Sequence, residues 1–237
     1  MNVVFDFGAV LFTWRPAELL AQSFPQLAAS PQQAAQLAHA VFAHEDWHNF
    51  DRGTLSISAV IERTAERLGL HPGVLADLVN SIGERLVPIE ESVALLAQLH
   101  ALRGQPVALA APGANGNASA VGAGGTVAHA TAHENLRLYF LSNMPVPYAR
   151  TLERRHSFLQ WFDGGVFSGD VQHIKPEPAI YQLLQTRYAL DPAQTVLIDD
   201  LQHNVEAARG LGWSGIRFVS AQQLQAQLAL ALQRSLS

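Results

Sequence analysis

Five residues have the types and settings that chemistry needs. Asp6 ends the apolar run in VVFDFGAVLF, Ser142 ends the run in YFLSNM, Lys175 stands in HIKPEPAIY, and Asp199 and Asp200 together end the run in VLIDDLQHN. Taken singly, an aspartate in such a place serves as a turn or N-cap residue, and a serine as a helix cap. Lys175, ahead of Pro176, taken alone reads as an exposed loop cation. The aspartate pair is more demanding. Adjacent carboxylates after a buried strand repel each other, and a bound cation relieves that repulsion. Oxygen ligands of this kind suit a hard cation.

The elements that must position these residues follow from periodicity. Residues 2–5 (NVVF), 136–141 (LRLYFL) and 195–198 (TVLI) are short runs rich in β-branched and aromatic side chains. Runs of this kind, apolar on both faces, suit central parallel strands. Each is followed by a helix-compatible segment, so the pattern is that of an α/β fold, doubly wound in the Rossmann-like manner around a parallel sheet. Ligands in such sheets bind at the carboxyl ends of the strands, where Asp6, Ser142 and Asp199 stand.

Between the first strand and residue 103 the spacing turns helical. Residues 31–43, 56–68, 71–85 and 89–103 carry apolar side chains at 3.6-type intervals, most clearly Ile57, Val60, Ile61, Thr64, Ala65 and Leu68. Ser56 and Ser58 are N-cap candidates for that stripe and Gly69 its stop. A helical block of this length is too long for a simple crossover and predicts an inserted cap subdomain. The expected division is a core of 1–14 and 87–220 with a cap of 15–86. Residues 104–133 hold no Asp, Glu, Lys or Arg but 10 Ala and 6 Gly, and read as a flexible low-complexity insertion, with a substrate lid as the alternative. The tail, 221–237, reads as an amphipathic Gln/Leu/Ala helix that packs on the core or joins two copies as a homodimer.

Composition narrows the function classes. With 15 Lys+Arg against 20 Asp+Glu the net charge is -5, and no basic run offers a nucleic-acid footprint. Zero Cys excludes disulfides, zinc–thiolate sites and a thiol nucleophile. The chain starts directly on a strand-like run without a basic region, which argues against a signal peptide. The uncharged stretch near 104–133 contains Gly, Asn and Pro and is no membrane span. A soluble, cytoplasmic protein with no membrane partner is therefore expected. Of the basic residues 14 are Arg, and Lys175 is the single lysine.

In their order, the motifs around Asp6, Ser142, Lys175 and Asp199–Asp200 resemble the four motifs of the haloacid dehalogenase (HAD)-like hydrolase superfamily. The likeness spans nearly the whole chain apart from 104–133 and the tail. DFGAV and the stretch holding Trp47, Phe50, Arg52 and Gly53 in WHNFDRGTLS are similar to a branch that includes glucose-1-phosphatase and the phosphatase domain of soluble epoxide hydrolase. The resemblance implies a Mg²⁺-dependent phosphomonoesterase acting on a small sugar phosphate or similar phosphorylated metabolite. Asp6 would be the nucleophile that forms an aspartyl phosphate. Mg²⁺ would bridge Asp6 and a phosphate oxygen, with the Gly8 carbonyl and one of the pair, Asp199 or Asp200, as further ligands. Ser142 and the Asn143 backbone N–H would bind a phosphate oxygen, Lys175 would neutralise charge during transfer, and Asn204 would orient the metal cluster. A compact ammonium at that point is not replaceable by a planar guanidinium, which suits a chain that otherwise uses Arg.

One departure stands out. Most phosphatases of the superfamily carry an acid two residues after the nucleophile, where this chain has Gly8. That acid protonates the leaving group and activates water, and losing it typically costs ~10²–10⁴-fold in rate. Two alternatives follow: a metal-independent 2-haloacid dehalogenase using the same aspartate on carbon, and a non-catalytic phosphate-binding or regulatory homologue. The His44/His48 and His129/His133 pairs have helical ligand spacing but no third ligand nearby, and read as structural. So does His173. Trp47 and Phe50 read as cap core, whereas Trp14 and Arg15 lie where the cap begins and could face substrate.

Overall fold

The structure, a computed structural model, describes residues 1–103 and 136–234, with side chains as far as 231. The expected insertion at 104–133, with His129 and His133, lies outside the described residues. Five parallel strands form one sheet: β1 (Asn2–Phe5), β2 (Arg137–Ser142), β3 (Gly164–Phe167), β4 (Thr195–Asp199) and β5 (Ser214–Arg217), in the order β3-β2-β1-β4-β5. The chain starts in the centre and winds outwards in both directions, so the order reverses at β1. Phe5 pairs with Phe140 on one side and Ile198 on the other, which brings the residues just beyond these strands to one edge.

Alternation along the strands assigns side chains to two cores. Val3, Phe5, Leu138, Val196 and Ile198 face one side, where they meet Leu95, Leu96 and Leu99 of α6 (Glu90–Ala101) and Leu224 and Leu228 of α11 (Ala221–Arg234). Val4, Tyr139, Leu141 and Leu197 face the other, against Ile180, Tyr181 and Leu184 of α9 (Pro178–Tyr188) and Ala208 of α10 (Gln202–Gly210). Burying both faces is why these strands lack a polar alternation. The doubly wound α/β architecture expected from the sequence is the one observed. The strand and helix expected at 136–141 and 221–237 appear as Arg137–Ser142 and Ala221–Arg234. Among the described residues no helix is long and apolar enough to cross a membrane.

Between β1 and α6 the described chain is helical: α1 (Pro16–Ser23), α2 (Pro31–Phe42), α3 (Glu45–Arg52), α4 (Ile57–Leu68) and α5 (Pro72–Arg85). Their ends follow capping chemistry. Proline opens α1, α2 and α5, where its missing N–H has no intrahelical partner. Ser56 rather than Ser58 caps α4, accepting from the Ala59 N–H at 3.2 Å, and Gly69 ends it in the left-handed region at φ 62°. His44 caps α3 through Nδ1, which accepts from the Asp46 N–H at 3.1 Å, so this member of the His44/His48 pair is structural.

The segments leaving and re-entering the core run side by side. The Thr13 N–H donates to the Val87 carbonyl at 2.8 Å, and the Ile89 N–H donates to the Leu11 carbonyl at 2.8 Å. α3 was not foreseen from the sequence, because its polar residues leave only Trp47 and Phe50 as an apolar signal. Those two are buried, in an aromatic row running Trp14–Phe42–Trp47–Phe50–Tyr148 with ring centroids 4.5–5.5 Å apart.

Candidate active site

Asp6 follows β1 directly, and its N–H extends the ladder to the Ile198 carbonyl at 2.9 Å. Asp199 is the last residue of β4, one strand away, and Ser142 the last of β2 on the other side. The Asp6 carboxyl thereby converges with the Asp199–Asp200 pair, more than 190 residues along the chain. One oxygen each of Asp6, Asp199 and Asp200 lies within 4.8 Å of the others. Asp6, Ser142, Lys175, Asp199 and Asn204 are all buried, a concentration of polar groups that only mutual pairing makes tolerable.

Lys175 supplies the pairing. Its Nζ lies 2.9 Å from Asp6 Oδ1 and donates to Asp199 Oδ2 at 2.6 Å. The Asp6 carboxylate also accepts the Phe7 N–H at 2.7 Å. Asp199 is saturated: Oδ1 accepts from the Leu201 N–H at 2.9 Å and from Asn204 Nδ2 at 3.0 Å, and Asn204 Nδ2 reaches Oδ2 at 3.1 Å. Asp200, half-buried, is left with its carboxylate turned to the cluster.

Burial pushes the Asp6 carboxyl up to about 7; Lys175 opposes that push, while Asp199 and Asp200 add to it. Asp200 is raised for the same reasons, burial first and Asp199 second. For Lys175, burial works against the charged form, but Asp199 and then Asp6 outweigh it and hold the ammonium above its usual value. Three carboxylates against one ammonium leave an excess of negative charge. That excess, carried by oxygen donors alone, fits a hard divalent cation such as Mg²⁺. The buried Asn204 Oδ1, which has no hydrogen-bond partner, is a further acceptor beside the cluster.

Asn143 has a place that its sequence position did not announce. Its Oδ1 accepts from the Lys175 N–H at 2.7 Å and its Nδ2 donates to the Lys175 carbonyl at 3.0 Å. The side chain thus fastens the lysine's backbone, whereas the sequence suggested a role for its backbone N–H. The Lys175–Pro176 peptide is cis. Trp14 lies over Gly8: a Cβ built at Gly8 would sit 3.7 Å from Trp14 Cβ, in ordinary contact. Arg15 points to the surface and pairs with Glu18 at 3.5 Å, away from the carboxylates.

The carboxyl edge of the parallel sheet thus gathers a buried carboxylate cluster around one lysine. No family model matches the sequence. The chain is 23% identical to the sesquiterpene phosphatase astK of Aspergillus oryzae over 219 residues, which cover 92% of this chain and 89% of the relative. It is 32% identical to a phosphorylated carbohydrates phosphatase of Thermotoga maritima over 79 residues, 33% of this chain and 37% of the relative. Among solved structures, a HAD family enzyme of Bacteroides thetaiotaomicron in complex with magnesium and inorganic phosphate superposes with a TM-score of 0.59 at 18% identity, covering 91% of this chain and 92% of that one. The L-2-haloacid dehalogenase of Xanthobacter autotrophicus superposes equally well, at 0.59 and 19% identity over 99% of this chain and 87% of that one. In its fold, and in the order of the motifs at the sheet edge, the chain resembles the HAD-like hydrolases.

Proposed function

We propose that the protein is a Mg²⁺-dependent phosphomonoesterase acting on a small sugar phosphate or a similar phosphorylated metabolite. The observation that carries this reading is the trio Asp6, Asp199 and Asp200, with oxygens within 4.8 Å of one another around a single buried ammonium. A dehalogenase displaces halide from carbon without a metal, and a second and third carboxylate beside its anionic substrate would only repel it. A phosphate ester, more highly charged, needs the cation that this trio is suited to hold. The phosphatases among the similar proteins support the same choice.

The residues then divide the work. The Asp6 carboxylate attacks phosphorus, the bond to the leaving alkoxide breaks, and water later releases phosphate from the aspartyl phosphate. Lys175 balances the charge carried by the transferring phosphoryl oxygens. Ser142 and the Asn143 N–H orient a phosphate oxygen. Asp6, Asp200 and the Gly8 carbonyl would hold Mg²⁺, which supplies neutralising charge and screens the two anions from each other. Asp200 is the better direct ligand of the pair because the acceptor positions of Asp199 are already filled by Lys175, Leu201 and Asn204. Asp199 then positions Lys175, and Asn204 positions Asp199. The helices between 15 and 86 act as the cap that closes over the substrate.

The decisive experiment is a phosphate-release screen over a metabolite panel, with and without Mg²⁺, using Asp6→Asn as control. Release that needs Mg²⁺ and disappears in Asp6→Asn is expected. Activity on a 2-haloacid that survives EDTA would instead establish the dehalogenase, and phosphate binding without turnover across the panel the non-catalytic homologue.

A further inference from the structure

The C-terminal end of α3 touches two separate parts of the core. The Asp51 carbonyl accepts from the Ser168 hydroxyl, and the same Ser168 oxygen accepts from the Met144 N–H at 2.8 Å, two residues beyond Ser142. Gly53, at φ 79°, packs so closely on α8 (Ser168–Val171) that a Cβ there would lie 2.3 Å from the Gly169 carbonyl. Between these two residues, Arg52 grips Glu177: Nη1 donates to Oε2 and Nη2 to Oε1, both at 2.7 Å. This planar, two-bonded geometry is the strong form of the arginine–carboxylate contact, and a lysine could not reproduce it.

Glu177 is no ordinary surface acid. Its N–H donates to the Ile174 carbonyl at 2.9 Å, and its Oε2 accepts from the Ile174 N–H at 3.4 Å. Ile174 and Glu177 thereby close a turn whose two central residues are Lys175 and Pro176. Asn143 holds the Lys175 backbone from the β2 side of that turn. From the other side the turn is held by a residue 125 positions away, on the helical block.

We propose that Arg52 is a positioning residue that, through Glu177, locks the Lys175 turn when the helical block is docked on the core, so that docking and readiness of the ammonium are one event. The bidentate contact forms only with α3 seated, because Asp51 and Gly53 on either side of Arg52 fix that seat. When the block lifts away, Glu177 loses both donors from Arg52, and the backbone of the turn keeps only Asn143 and its own Ile174–Glu177 bonds. The catalytic part of this proposal rests on the phosphatase reading above; the mechanical part does not.

The single lysine makes a test possible that needs no turnover. Reductive methylation with formaldehyde and cyanoborohydride, followed by mass spectrometry of the peptide containing Lys175, reports how often this buried amine becomes accessible. Arg52→Ala and Glu177→Gln should each speed its modification about fivefold or more, and the double variant should be no faster than either alone, because the two residues act as one unit. Arg103→Ala, which removes a 2.7 Å pair with Asp163, serves as the control for general loosening and should leave the rate unchanged. In phosphate release the same two variants should lower kcat about tenfold with KM within about threefold, the pattern of a group that acts in the transition state and not in binding. Equal labelling of Arg52→Ala and the parent, additive effects in the double variant, or the same rise in Arg103→Ala would each overturn the coupling. A parent that labels as described but releases no phosphate would overturn the function proposed above and leave the coupling standing.

Discussion

The Asn143 side chain holds the backbone of Lys175 at both ends, accepting its N–H at 2.7 Å and donating to its carbonyl at 3.0 Å. A flexible four-carbon side chain is thereby anchored at its root, and its ammonium is anchored at the tip by Asp6 and Asp199. Replacing Asn143 with alanine removes two hydrogen bonds worth about 1 kcal/mol each and leaves two backbone groups unpaired. The expected result is a loss of about 2 kcal/mol in denaturant unfolding and a fall in kcat of about tenfold. Asn143→Asp keeps the acceptor and loses the donor, and should fall between. An alanine variant as active as the parent would show that the anchor at the tip suffices.

The two adjacent aspartates should separate cleanly. Asp199 is the partner of a buried ammonium, and breaking a buried charge pair typically costs about 3–5 kcal/mol. Asp199→Asn is therefore expected to lower the melting temperature markedly. Asp200→Asn removes a repelling charge and no filled acceptor, so its melting temperature should match the parent or exceed it. Its effect should appear in the Mg²⁺ concentration needed for half-maximal phosphate release, raised about tenfold or more, since a direct carboxylate ligand has been lost. Magnesium titrations beside thermal melts would detect the reverse assignment.

Gly8 leaves room for the acid that most related phosphatases carry. A Cβ there meets Trp14 only at ordinary contact distance, and Gly8 is not among the residues in the left-handed backbone region. Gly8→Asp should fold normally and raise kcat on substrates with poor leaving groups by about 10²-fold, the lower end of what a positioned acid/base supplies. Substrates with good leaving groups should gain less. A uniform gain, or none, would mean that another group already does this work.

The Arg52–Glu177 pair has a pH signature. Its hydrogen bonds with Arg52 hold the Glu177 carboxyl below its usual value of 4.5. A carboxylate whose pKa is depressed by folding contributes stability above its unfolded value, and that contribution is lost as the pH falls through the folded value. The parent should therefore melt above Glu177→Gln at pH 7, with the gap closing below pH 4.5. The pair is partly exposed, so the gap should be small and should narrow in high salt. A gap that persists at pH 3 would point to a cause other than this charge.

Much of the candidate site was legible because Asp6, Ser142 and Asp199 are each the first polar side chain after an apolar run. A parallel strand buried on both faces must be apolar throughout, so its end is visible as a change of residue type. That rule located β1, β2 and β4, and with them Asp6, Ser142 and Asp199. It did not show β3 and β5, GGVF and SGIR, whose glycines are poor strand formers and which are strands because a paired neighbour supplies the ladder. Helices with a clear stripe and a cap, such as α4 and α5, were equally visible, and the polar α3 was not.

By itself the sequence determined which residue types stand at strand ends, the spare use of lysine, and the helical block between the first two strands. Only the tertiary structure decided what those residues do to one another. Asn143 and Lys175 are 32 positions apart, and Arg52 and Glu177 are 125 apart. No local spacing encodes such pairs, because they depend on where the sheet order and the seat of α3 bring the chain back. The difference between Asp199 and Asp200 was undecided for the same reason: adjacent in sequence and alike in chemistry, they are told apart by which of them Lys175, Leu201 and Asn204 already occupy.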